Sequence, residues 1–266
     1  MKTLLITAAI AALSVQTAHS ETAEYNWAVR VIDFGTVATA CKYLGFNVQT
    51  DTLVANMQEA AEAAIMASSA PEATGAKIHD KLMVLNTRVQ RMNGMLSGDT
   101  AADGLHSMEA IMTEAYPACA AFAKDTDFKP YIQNGPFQAS GRPATALDFV
   151  KFNAENGSAN YMIILSGLYG EGVIGGKPDR QNAFIWMRKA GLAGDAQAAG
   201  VTAGDYAAGD GTPKDLVQAE QWHRMAIAMG GGDPDALAEL EKTMTPAQIA
   251  AGKAAAHKWL AENGYE

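Results

Sequence analysis

The sequence predicts an all-α protein in which a helical bundle precedes a short α-solenoid, a stack of helix pairs. Three observations carry this. A unit is written twice between Ser158 and Gly230, with Trp186 and Trp222 36 residues apart and Tyr169 and Tyr206 37 apart. A fixed period in this range marks a helical repeat array. Apolar residues through 21–125 recur at steps of three and four, the spacing of one helix face. No stretch alternates apolar and polar residues over strand length.

Residues 1–20 read as a secretory signal peptide. Lys2 is the positive start, Leu4 to Val15 is an apolar run, and Ala18 and Ser20 supply small residues before a cleavage point. The run is too short for a membrane span, which takes ~20 apolar residues. The expectation is an exported protein, periplasmic or secreted, with no membrane span in the mature chain. Loss of Lys2 moves the net charge from −9 to −10. With no Lys/Arg cluster, that acidity excludes nucleic acid as a partner.

Residues 21–125 are expected to form the bundle. Helix one carries Trp27, Val31, Phe34, Ala38 and Cys41, and helix two starts near Thr50 and carries Leu53, Met57, Ala60, Ala64 and Ala67. Helix three follows Pro71 and carries Ile78, Leu82, Leu85, Val89, Met92 and Met95. Helix four carries Leu105, Met108, Ile111, Met112 and Ala115, and Pro117 is expected to disturb its end. The chain has two cysteines, Cys41 and Cys119. In an oxidising compartment a single pair usually bonds. Bridging a loop of that length contributes about 4 kcal/mol on chain-entropy reasoning. Residues 126–143, broken by Pro130, Gly135, Pro136, Gly141 and Pro143, are expected to link the bundle to the array.

The array is expected over 144–266. In each unit a first helix ends near a tyrosine and a Gly-rich turn follows. A second helix then opens on Asp179 or Asp215. Ala183, Trp186 and Ala190 share one face of the first unit's second helix, as do Ala219, Trp222 and Ala226 in the second unit. Phe149 holds the tryptophan place in a lone helix that starts the array, and Tyr169 and Tyr206 mark the turns. Gly194 and Gly230 end the second helices. Thr245 and Pro246 open a last helix running to about Trp259, which caps the stack.

The turn tyrosines, the D-x-x-x-A-x-x-W helices and the segment Met244-Thr245-Pro246-Ala247-Gln248-Ile249 resemble the bacterial Sel-one-like repeat family, which is related to tetratricopeptide repeats. The resemblance covers roughly Ala144 to Trp259. It implies an α-solenoid that binds or scaffolds other proteins, with first helices lining the concave face, and no catalytic residues. Asn160, Tyr161, Ile164, Asp205, Asp210 and Lys214 are the candidate partner-binding residues on first helices and turns. Tyr161 stands where the family has alanine and is expected to project into the groove.

Catalysis needs convergent groups, and the sequence offers few. His79, His106, His223 and His257 lie in no metal-binding spacing, and the glycines at 167–176 and 204–211 lack the phosphate-loop Lys-Ser/Thr pair. No cofactor is expected. Two alternatives stay open beside a non-catalytic interaction protein. One is a cell-envelope enzyme or peptidoglycan-associated factor. The other is a metal or small-molecule carrier built on Met83, Met92, Met95, Met108 and Met112.

Overall fold

The computed structural model describes residues 22–95 and 100–265, of which 84–95 are described by their backbone alone. The expected signal peptide at 1–20 lies outside the described residues, as do the side chains of Met92 and Met95. Helix dominates: among the described residues the β-structure is one antiparallel pair, Asn47–Val48 (β1) with Ile132–Gln133 (β2). Two residues per strand are too short to leave an alternating sequence pattern.

The described residues divide into two compact units. One takes in residues up to 92 with Ala115–Gly135. The other takes in 93–114 and everything from Pro136 onward. The division therefore runs through two helices, between 92 and 93 and between 114 and 115; the sequence reading placed the bundle over 21–125.

In the first unit, α1 (Ala23–Tyr43) starts where the Thr22 hydroxyl accepts from the Tyr25 amide. Its inner face meets α2 (Thr50–Ala67) and α3 (Pro71–Met95) through Ala28, Ile32, Ala60, Ala64 and Ile78. Pro117 was expected to disturb the end of helix four; helix α4 (Ala101–Lys124) continues through it. Proline removes one ladder hydrogen bond at a cost of about 3 kcal/mol. Tertiary contacts beyond it hold the helix: Cys119 bonds Cys41, closing a separation of 78 residues, and Phe122 packs 4.9 Å from Phe34 and 4.6 Å from Phe128.

The expected linker is ordered structure. Its first part belongs to the first unit, where Phe128 is fully buried and β2 pairs with β1. Arg30 lies over the Trp27 and Phe128 rings and donates to Asp125 at 2.7 Å and Asp127 at 2.8 Å. Its last part opens the second unit with a short helix, α5 (Pro136–Ala139), whose Phe137 packs edge-on against Phe149, 5.0 Å away.

The second unit then stacks α6 (Ala146–Glu155), α7 (Ala159–Gly170), α8 (Arg180–Leu192), α9 (Ala196–Ala208) and α10 (Leu216–Ala228), each on the one before. Helix α10 also packs on α11 (Pro234–Glu241), which the sequence reading did not anticipate, and on α12 (Pro246–Asn263). The last helix opens with the expected cap: Thr245 accepts from Gln248, whose side chain reaches back to the Thr245 amide.

Repeat chemistry is visible in the backbone. Asp179 and Asp215 both donate their amides to the carbonyl of the preceding turn tyrosine, Tyr169 and Tyr206, each at 2.9 Å. Both also cap the helix they open with a side-chain oxygen. Gly172 is required at the first turn. Its φ is +77°, and a Cβ there would sit 2.6 Å from the Lys177 carbonyl carbon.

Candidate functional site

The helix pairs of the second unit leave a groove of about 590 Å³ between α7, α8 and α9. Its walls are apolar. Ile163 and Ile164 come from α7, Ala183, Phe184 and Met187 from α8, and Val201 from α9. Val201 is 48% exposed, so one wall stands open to solvent. Helix pairing builds the floor: Phe184 meets Tyr206 edge-on at 5.1 Å, and the Ser166 hydroxyl donates to the Ala183 carbonyl at 2.8 Å.

One end of the groove is closed by the start of α4, at Thr100 and Ala101. Glu171 holds it there. Its two carboxylate oxygens accept from the Ala101 and Ala102 amides, each at 3.0 Å. These amides are among the four that a helix start leaves unsatisfied. Gly167 permits the approach, since a Cβ there would meet the Ala101 Cβ at 2.6 Å.

The other end carries Asp205, Asp210 and Arg180. Arg180 lies 3.8 Å from Asp210, a loose ion pair. Asp205 is half-buried, and no side-chain hydrogen bond to it is found among the described residues. Burial, then repulsion from Asp210, pushes its carboxyl up to about 6, against a smaller pull from Arg180. Asp179 shows the opposite effect nearby: hydrogen bonds from the Asn182 backbone and side chain hold its carboxyl below the usual range.

Three of the six candidate partner-binding residues, Ile164, Asp205 and Asp210, line this groove. Asn160 and Lys214 are exposed elsewhere. Tyr161 does not project into the groove as expected but packs edge-on against Phe149 at 5.6 Å, in the joint between α6 and α7. Arg180, Phe184 and Met187 also line the groove; they lie on a second helix, whereas the sequence candidates lie on first helices and turns. Their spacing, with Ala183, traces a second stripe on the helix that Trp186 marks, and that stripe was legible.

The residues expected to pack the repeats differ in burial. Phe149, Ala190, Ala219, Trp222 and Ala226 are buried, while Ala183, Tyr169 and Tyr206 are half-buried. Trp222 sits among Ala199, Ala203, Met225, Ala226 and Ala256. Trp186 is only half-buried, with the Lys189 ammonium 3.8 Å from its ring centre.

A second polar cluster ties the end of the stack. Arg224 donates to Glu220 at 2.7 Å and to Glu241 at 2.6 Å, joining α10 to α11. The Glu220 side chain is fully buried, and burial raises its pKa. It occupies the space a Cβ on Gly252 of α12 would take. His223 beside it is buried with its pKa lowered by desolvation. These groups face helix joints and do not line the groove.

Stacked helix pairs with an open groove define the class: an α-solenoid repeat protein. The family model for the Sel1 repeat matches residues 160–195 and 203–231, so the chain carries two Sel1 repeats in the stretch that builds the groove. Repeats of this kind are typical of protein–protein interaction scaffolds. Among solved structures, the chain is similar to a protective antigen present in uropathogenic Escherichia coli strains that displays an SLR fold. The match has 18% identity and a TM-score of 0.44, covering 80% of this chain and 48% of that one, so this chain spans about half that protein's length. No curated protein matches the sequence.

Proposed function

We propose that this is an exported, non-catalytic protein that holds a segment of another protein in the groove between α7, α8 and α9. The groove itself carries the reading. Its apolar walls come from the first Sel1 repeat and from Val201, a partly exposed valine just ahead of the second repeat, which supplies Asp205 and Asp210. A concave, mainly apolar site with a few polar groups is the usual form of a binding pocket. Stacked repeats create such surfaces as a consequence of their curvature.

Export is supported by the apolar leader read from the sequence and by the Cys41–Cys119 bridge, a bond that persists in oxidising compartments. Among the described residues no helix is long and apolar enough to cross a membrane.

The test is capture with paired variants. Val201→Asp places a charge on the groove wall, and Ile185→Asp places one at a residue that is 38% exposed and does not line the groove. Immobilised wild type and Ile185→Asp should retain the same partner from an extract of the source organism, and Val201→Asp should lose it. Equal retention by both variants contradicts the proposal, as would turnover of an envelope substrate by the purified protein.

A further inference from the structure

Resting on the groove as the binding surface, we infer that its occupant is a peptide segment carrying a lysine or arginine beside apolar side chains. The cation seats between Asp205 and Asp210, and the apolar side chains lie along Ile164, Phe184, Met187 and Val201.

The two ends of the groove differ in what their carboxylates already do. Glu171 is satisfied, because both of its oxygens accept backbone amides. At the other end two carboxylates share one guanidinium, and that guanidinium sits 3.8 Å from Asp210. Asp205 is left half-buried with no hydrogen-bond donor among the described residues. An ionised carboxylate held away from water without a donor is costly. A cation entering from the partner would supply both the donor and the opposite charge, forming the stronger, charge-assisted kind of hydrogen bond. An anionic group would meet net negative charge instead.

Size and shape separate a chain segment from a free amine. The volume, about 590 Å³, falls in the ~300–1,000 Å³ range of ordinary ligand sites. It is too small for a folded domain. The walls run across three successive helices, and packed neighbours lie roughly 8–10 Å apart. An occupant touching both Ile163 and Val201 is therefore longer than one side chain.

The experiment measures binding of fluorescein-labelled peptides to the purified full-length protein by anisotropy. One peptide has an arginine flanked by leucines, and the other has citrulline in its place, which keeps the shape and removes the charge. The arginine peptide should bind wild type at least ~10-fold more tightly, a coupling typical of a close charge pair. Asp205→Asn should reduce that ratio to near one, chiefly by weakening the arginine peptide. Asp210→Asn should reduce the ratio less. Circular dichroism confirms that each variant is folded. Equal affinity for both peptides on wild type, with Val201→Asp abolishing both, overturns this inference and leaves the groove reading standing. Binding that survives Val201→Asp, or no binding of either peptide, overturns both.

Discussion

The two Sel1 repeats carry the same motif and bury it differently. Trp222 in the second is 2% exposed, whereas Trp186 in the first is half-buried under Lys189. The residues around each explain this. Trp222 packs on Ala199 and Ala203 of α9, and its ring edge lies where a Cβ on Gly191 would be only 2.7 Å away. At the matching places, 37 residues earlier, stand Met162, Ser166 and Ala154, all larger. Helix α10 is also covered by α12, through Ala256. The motif thus sets the hairpin, and small residues on neighbouring helices decide whether its tryptophan becomes core.

Mutation of the two tryptophans tests that contrast most strongly. Trp222→Ala should cost about 4 kcal/mol, the usual loss for a buried indole. Trp186→Ala should cost about 1 kcal/mol, mostly a partly exposed contact with Lys189. Urea unfolding followed by circular dichroism measures both, and equal losses would break the comparison. Gly191→Ala is the next largest effect. It should cost about 2 kcal/mol in the same unfolding measurement by forcing Trp222 and α9 apart, and no loss would show that this close approach is not what buries the indole.

Glu171→Ala removes the cap on α4, a contact made only by the first repeat. A lost cap costs about 1 kcal/mol, and amide exchange at Ala101 and Ala102 should speed up. Unchanged exchange would show that the carboxylate is not holding these amides.

A pH dependence belongs to the second repeat. Asp205 faces Asp210 and Arg180, and its carboxyl is raised to about 6 from an unfolded value near ~3.9. The folded state then binds more protons than the unfolded one between those values, so stability falls as pH rises from about 4 to about 6. Asp205→Asn should flatten that part of the profile in thermal melts. An unchanged slope would show that Asp205 is not the group responsible.

Much of this was legible before the structure, because the signals were local. Asp179, Asp215, Thr245 and Gln248 announce helix starts through side chains that reach only two or three residues. What escaped was set by distant partners. The Cys41–Cys119 bond was expected, but nothing near Pro117 says that Phe34 and Phe128 will pack on the helix beyond it. The cap from Glu171 to Ala101 joins residues 70 apart. Tyr161 reads as a groove residue until Phe149 is placed beside it. Within the groove Ile164, Asp205 and Asp210 were found from turn and first-helix positions. Phe184 and Met187 were passed over because their helix already had a packing role in Trp186.

Amide hydrogen exchange on the full chain, with and without saturating arginine–leucine peptide, tests the groove directly and needs no mutation. Bound peptide should slow exchange in Ala159–Gly170, Arg180–Leu192 and Ala196–Ala208 and leave Pro246–Asn263 unchanged. Protection confined to the helices of the first unit, or to the capping helix, would contradict the assignment of the groove as the binding surface.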